Sequence, residues 1–460
     1  MMEPNYKWEE KHAIVFNDFI VNLNKKGLRY FILRNYEGLP NVNAAKDVDV
    51  IIEPGCYKQA AQCLYNAFKK HGIPRYYVVK YERVRCWIGM DLDEDFSIHI
   101  DLIEGYLNKG FEIFTFDDLY AYTKPYKNMI VLNDVMDATM LLLYKVIGCG
   151  ELKDRYKTKV EDQYRLHEKE IKESLYKVLS GSTYIELVKD LANGNFDKIV
   201  SDARKISLNS KVNAFNKRPF FTIINVLNFV FEKIYRIVWC PKKFQKMIAV
   251  EAPDGTGKTT FIDLMSLKLA EMFVTDISKM HVYHFRPTIL PNLGAVGEKA
   301  TAGKVKQDTN FTDPHRNPPA GFISSFIRMS YYWMDYIIGG FICKRKDVQF
   351  DKFTIFDRYI YDFIVDPVRS RIGLPIFLRK LFACCVYQPQ IVFVLLCQPE
   401  IVYKRKQELT LKEITRQMTV FESLCSMGDR FYKLDASKTP GEIAKDAVRR
   451  IIETYTLEVK

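Results

Sequence analysis

The feature that most constrains the fold lies just past the middle of the chain: KMIAVEAPDGTGKTTFIDLMSLKLAEMF, residues 246–273. KMIAVE is a short apolar run of strand character, and KTTFIDLMSLKLAEMF carries apolar residues at helical spacing. The segment between them holds Gly255 and Gly257. A strand that turns through glycines straight into a helix gathers backbone N–H groups at the helix N-terminus, where they can cradle an anion. The letters nearly spell Gly-x-x-x-x-Gly-Lys-Ser/Thr, with Ala252 at the first glycine position. Alanine there costs about 1–2 kcal/mol if the position is left-handed. Pro253, however, pushes the residue before it toward extended backbone, where alanine is unstrained. The candidate phosphate-binding residues are therefore Asp254, Gly255, Thr256, Gly257, Lys258, Thr259 and Thr260. Lys258 would reach β/γ-phosphate oxygens and the Thr259 hydroxyl would ligate Mg²⁺.

Downstream the rhythm is strand, turn, helix. KMIAVE, HVYHF, FTIFD, QIVFVLL and FYKLD are candidate strands, most of them separated by long helical stretches. That alternation predicts an α/β fold, a doubly wound parallel sheet over residues 245–460. In such a sheet the C-terminal strand ends face one crevice. Asp357 ends FTIFD and is placed to hold Mg²⁺, and Arg358 beside it can meet a phosphate in bidentate fashion. Arg286 follows HVYHF, in HFRPTILP. Lys404, Arg405 and Lys406 follow QIVFVLL and can close as a lid over a transferring phosphoryl group. Each basic residue taken singly is equally a solvated helical face.

Taken together, MIAVEAPDGTGKTTFIDLM, HFRPTILP, FDRYIYDFIVDPVR, RKQEL and KLDASKTPGEIAKDAVRRII resemble the thymidylate kinase-like P-loop proteins in order and spacing, over 245–460. The resemblance implies ATP in the loop and Mg²⁺ on Thr259 and Asp357. It implies a catalytic set of Lys258, Asp357, Arg358, Arg405 and Arg286. The acceptor it implies is a nucleoside monophosphate such as dTMP, or a related small phosphorylated molecule. IYDFIVDPVRSR departs from the Ser and Ala-Tyr-Gln elements usual after Asp-Arg-Tyr, and the lid lacks Asp-Arg-x-Glu. Asp366, Pro367 and Arg369 are similar to an Asp-Pro-x-Arg branch often associated with surface-polysaccharide gene sets.

Residues 1–130 alternate strands and helices. LRYFILR and DVDVIIE read as strands, CYKQAAQCLYNAFKKHG as a helix closed by Gly72. YYVVKYERVRCWIGMDL and FSIHIDLIEG read as further strands with a hairpin between them. Asp47 and Asp49, two residues apart, share one strand face. With Asp101 from FSIHIDLIE they make three carboxylates able to hold two Mg²⁺ ions. An Asp-x-Asp by itself reads first as a surface strand, and it is the third Asp and the leading ILRN that favour a metal site. The set resembles the nucleotidyltransferase fold, in particular an uncharacterised group bearing LRNYEGLP…KDVDVII that is often fused to such kinases. The Gly-Ser that normally contacts the triphosphate is absent. Arg34 and Asn35 stand in that region, either replacing it or leaving a domain that binds nucleotide without transferring it.

Residues 131–244 read as a polar helical connector ending in the aromatic–basic run RPFFTIINVLNFVFEKIYRIVWCPKK. Glu232, Lys233 and Arg236 interrupt the run and argue against a spanning helix. It either lies on an anionic membrane surface, with Phe229 and Phe231 toward lipid, or packs internally. The net charge of +12 favours anionic partners. The basic residues are spread and no nucleic-acid recognition module is legible, so nucleic acid is not an expected partner. Ten cysteines without a C-x-x-C pair offer neither a zinc motif nor a disulfide framework. With a charged N-terminus lacking an apolar signal core, the expectation is a cytoplasmic protein. A homodimer is compatible with the sequence, which does not specify one. The competing functional expectation is a nucleotide-binding scaffold or regulator of glycan assembly with one or both domains inactive.

Overall fold

Strand periodicity organises both halves of the chain, in different ways. The computed structural model describes residues 6–239, 245–291, 318–407 and 409–460. The end of the aromatic–basic run and Glu408 of RKQEL lie outside the described residues. Two compact units result, one of Tyr6–Lys233 with Thr456–Lys460, the other of Ile234–Tyr455.

The N-terminal unit is built on an eight-stranded mixed sheet. Its strands are β1 (Tyr30–Ile32), β2 (Asp47–Ile52), β3 (Arg75–Tyr81), β4 (Val84–Asp91), β5 (Phe96–Glu104), β6 (Thr123–Tyr126) and β7 (Met129–Leu132), with Leu457–Glu458 added at the β3 edge. The order runs from that terminal strand through β3, β4, β5, β2, β1 and β7 to β6. β3, β4 and β5 form an antiparallel meander, as the hairpin reading expected, and β5 pairs parallel with β2. Alternate residues of β2 and β5 serve opposite faces. Val48, Val50, Ile100 and Leu102 pack on helices Glu10–Lys25 and Tyr57–Lys70 through Phe16, Phe19, Leu64 and Phe68. Ile51 and Ile103, on the other face, share a core with Leu141, Val160, Ile171, Leu175 and Leu187.

That second core accounts for a difference from the expected three-piece division at 130 and 244. The helices between Asp134 and Ile206 bury apolar side chains in this core, and residues up to Lys233 fall in the first unit rather than in a solvated connector. Helix Pro219–Ile234 also lies mostly in this unit. Val226 backs directly onto Gly110, the Arg83 guanidinium lies 5.4 Å from the Phe221 ring, and Glu232 Oε1 accepts from the Glu82 N–H at 3.1 Å. Its outer face leaves Phe220, Leu227 and Phe231 exposed, while Phe229 is half-buried. Among the described residues no helix is long and apolar enough to cross a membrane.

The second unit contains each strand expected from the sequence: β8 (Met247–Glu251), β9 (Met280–His284), β10 (Phe353–Asp357), β11 (Ile391–Leu396) and β12 (Phe431–Asp435). All are parallel, in the order β12–β11–β8–β10–β9. The sheet is doubly wound. On one face Phe261 of helix Lys258–Met272 meets Phe393 edge-on, and Phe273 meets Phe353. On the other, Met247, Ala249, Phe356, Val392 and Val394 pack with Tyr336, Phe363 and Phe421. Because the chain passes from β8 to β9 and β10 on one side and then crosses to β11 and β12 on the other, a crevice is expected at the C-terminal ends of these central strands.

Candidate functional sites

In the C-terminal unit the loop after β8 has the form the sequence expected. Gly255 (φ +89°) and Gly257 (φ +87°) are left-handed, and Gly257 caps helix Lys258–Met272. A Cβ on Gly255 would come within 2.9 Å of Lys406 Cβ, so both backbone angle and space demand glycine there. Ala252 is buried and is not among the left-handed residues, so the missing first glycine costs no backbone strain. Thr256 Oγ1 donates to the Pro253 carbonyl at 2.9 Å and pins the loop. Thr259 and Thr260 open the helix with exposed side chains.

Lys258 Nζ lies 3.2 Å from Asp357 Oδ1 at the end of β10, and His284 Nδ1 lies 3.2 Å from Asp357 Oδ2 at the end of β9. Burial, with Arg358 nearby, lowers Lys258 below the ordinary lysine range. Arg358 is buried in left-handed backbone at φ +71°, a conformation that costs a non-glycine residue about 1–3 kcal/mol. It is held there by ion pairs to Asp254 and Asp362, and its N–H donates to the Val250 carbonyl at 3.0 Å. Arg369 Nη2 reaches the other Asp254 oxygen at 2.7 Å. Burial alone would raise Asp254, but the two guanidinium groups outweigh it and hold the carboxyl down at about 2.

The other expected residues divide, with Arg286 turned to a carboxylate partner and Arg405 over the loop. Arg286 is buried, its Nη1 3.0 Å from Asp335 Oδ2 and its guanidinium 5.4 Å from the Tyr332 ring. Asp335 also accepts from the N–H groups of Thr288 (3.2 Å) and Leu290 (2.7 Å). Arg286 thus organises a turn flanked by left-handed Phe285 and Thr288, rather than standing open toward a phosphate. Arg405 is exposed and reaches the Thr256 carbonyl at 3.5 Å, over the loop where a lid residue was expected; Lys404 and Lys406 are exposed beside it. Sequence reasoning assigned no role to Glu251, Asp335 or Asp362. Glu251 is fully buried, accepts the Tyr359 N–H at 2.7 Å, and has an Oε2 without a hydrogen-bond partner among the described residues. Burial, reinforced by Asp362, pushes it well above the usual carboxylate range. The signal was present in the sequence as a carboxylate ending an apolar strand.

In the N-terminal unit, Asp47 and Asp49 on β2 and Asp101 on β5 converge. Asp49 stands opposite Asp101, and Asp47 opposite His99. One carboxylate oxygen from each of the three lies within 4.8 Å of the others. Arg34 Nη2 is 2.8 Å from Asp49 Oδ2, and its guanidinium lies 4.6 Å from the Tyr144 ring. The neighbouring Asn35 is left-handed at φ +55°. Burial pushes Asp49 up to about 6, and Arg34 opposes that push. Burial would also raise Asp101, but His99 Nε2 at 2.8 Å holds it below the usual range. A cavity of about 340 Å³ opens at this triad, lined by Asp49, Asp101, Arg83, Tyr106, Lys109 and Tyr144. Tyr144 comes from the helices that the sequence reading had placed in a separate connector.

No protein-family model and no curated protein matches the sequence. Among solved structures, a thymidylate kinase from Ehrlichia chaffeensis is similar at 13% identity and a TM-score of 0.30, over 45% of this chain and 98% of that one. At that TM-score the likeness carries no argument about this chain.

Proposed function

We propose that the C-terminal unit is an ATP-dependent phosphotransferase of the thymidylate kinase-like kind. The observation that carries this reading is the pairing of two left-handed glycines at a helix start with Lys258 held beside Asp357 on the adjacent strand. The loop N–H groups and Lys258 would take the β- and γ-phosphate oxygens. Thr259 and Asp357 suit Mg²⁺: both offer oxygen, Thr259 is exposed at the helix start, and Asp357 ends the adjacent strand beside Lys258. When bound, the cation would neutralise charge on the transferring phosphoryl group. Arg358 and Arg369 converge on Asp254, and an acceptor phosphate would compete for the same guanidinium donors. Arg405 would cross the loop from the lid side. Arg286 positions the turn through Asp335 in this reading. The acceptor class is a nucleoside monophosphate such as dTMP, or a related phosphorylated molecule.

For the N-terminal unit the reading is a metal-dependent nucleotidyltransferase-like site. Asp47, Asp49 and Asp101 would hold Mg²⁺, and Arg83 and Lys109 line the cavity where an anionic substrate would enter. The test of both halves is one assay. Labelled ATP is incubated with each nucleoside monophosphate and with sugar and sugar-phosphate acceptors, using the wild-type chain, Lys258→Ala and Asp47→Asn. Loss of a phosphorylated product only in Lys258→Ala, and of a nucleotidylated product only in Asp47→Asn, supports the assignment. Full turnover of every product in both variants refutes it.

A further inference from the structure

The carboxylate triad does not exhaust the metal-ligating side chains on its sheet face. Cys86 on β4 stands directly opposite Asp101 on β5, which stands opposite Asp49 on β2. One pleat away, His99 stands opposite Asp47. Side chains two apart on a strand share a face. Five donors from three adjacent strands therefore form two short rows on one surface. Within them Cys86, His99 and Asp101 are a cluster of their own: one ligand atom from each lies within 4.8 Å of the others.

We propose that Cys86, His99 and Asp101 bind a thiophilic divalent cation, for which Zn²⁺ is the fitting choice. Zinc bonds of about 2.0–2.3 Å to nitrogen, oxygen and sulfur place tetrahedral ligands about 3.5 Å apart. The cluster is close to that spacing already: His99 Nε2 is 2.8 Å from Asp101 Oδ1, and the Cys86 thiol hydrogen-bonds to the same carboxylate. The protein supplies three ligands, leaving a fourth position on the side where Asp101 lines the cavity. Sulfur and imidazole select zinc over Mg²⁺, whereas the all-oxygen set of Asp47, Asp49 and Asp101 selects the harder ion. Asp101 belongs to both sets, so one carboxylate would bridge or be shared between two unlike cations. Binding releases the Cys86 thiol proton to solvent and frees His99 Nε2 of its proton, which passes to Nδ1 or, from the imidazolium, to solvent; two metal bonds then replace the His99–Asp101 hydrogen bond. The sequence alone gave no zinc motif because the ligands at 86, 99 and 101 are joined by strand register, not by a C-x-x-C spacing.

The inference shares Asp101 with the proposed transferase site and does not require that site to transfer anything. The experiment uses the full chain stripped with chelator and titrated with Co²⁺ as a spectroscopic substitute, then with Zn²⁺ in competition. A thiolate-to-cobalt charge-transfer band should appear, be displaced by Zn²⁺, and persist in Cys384→Ser/Cys385→Ser, which removes two exposed thiols. It should vanish in Cys86→Ser, and His99→Ala should weaken Zn²⁺ binding at least about tenfold. Circular dichroism establishes that each variant is folded. Absence of the band in the wild-type chain, or a band unchanged in folded Cys86→Ser, overturns the proposal. Asp47→Asn separates the two readings. A Cys86-dependent band without any Asp47-dependent transfer removes the transferase alone, and the converse removes the zinc site alone.

Discussion

The two units offer a comparison in how a site is written into a chain. In the C-terminal unit the proposed anion-binding loop is continuous: strand, two glycines, lysine and helix follow one another within residues 247–272. In the N-terminal unit the site is assembled from β2, β4 and β5, and its cavity is completed by Tyr144 from a later helix. The first depends on local backbone geometry and the second on strand register and packing. Perturbations should therefore divide along the same line, with loop changes altering one proposed activity sharply and register or packing changes altering the other.

The largest effect expected is on turnover. Lys258→Ala should lower the proposed phosphoryl transfer by about 10³-fold or more, since it removes the cation assigned to the β/γ-phosphate oxygens. The loss is read as kcat with saturating ATP, and transfer by the N-terminal unit should be unchanged. Equal loss in both units would break the comparison.

Next comes stability in the second unit. Asp335→Ala removes the carboxylate that pairs with the buried Arg286 guanidinium and accepts from two turn N–H groups, and should cost about 3–5 kcal/mol in a denaturant titration. A cost near zero would mean that Arg286 does not depend on Asp335 and would return it to the phosphate side of the crevice.

A smaller effect is expected at Asp254, whose carboxyl sits at about 2 in place of the ordinary 3.8. A depressed carboxylate contributes stability that is present above its unfolded value and lost as pH falls through the folded one. Here that window runs from about pH 4 down to about pH 2, and the contribution at neutral pH is about 2 kcal/mol. Asp254→Asn should lower stability at pH 7 by that order and converge with the wild type near pH 2. Parallel stability curves across the acid range would contradict the ion-pair account.

The smallest effect concerns the residue that breaks the loop pattern. Ala252 is not left-handed, so Ala252→Gly should leave ATP binding alone and destabilise by less than about 1 kcal/mol, the entropic cost of glycine. A clear gain in stability would show that the alanine is strained after all.

Much of this architecture was legible beforehand, and the exceptions have a common cause. All five parallel strands, the loop and the Asp47–Asp49–Asp101 convergence follow from patterns that act over a few residues or one strand face. The polar density of 151–173 concealed Tyr156, Val160 and Ile171, whose helical spacing buries them on the sheet. The fate of Arg286 could not be read from HFRPTILP because its partner Asp335 lies 49 residues away on another element. Cys86 was passed over for the same reason, since its neighbours are set by register alone. Local chemistry can be read along the chain, whereas long-range pairing of charges requires the fold.

The central claim, that the loop after β8 binds nucleotide through Lys258, is tested most directly by calorimetric titration of Mg²⁺·ATP into the full chain. The account predicts saturable binding to the wild type and its loss in a folded Lys258→Ala variant. The same dissociation constant in both proteins would contradict it.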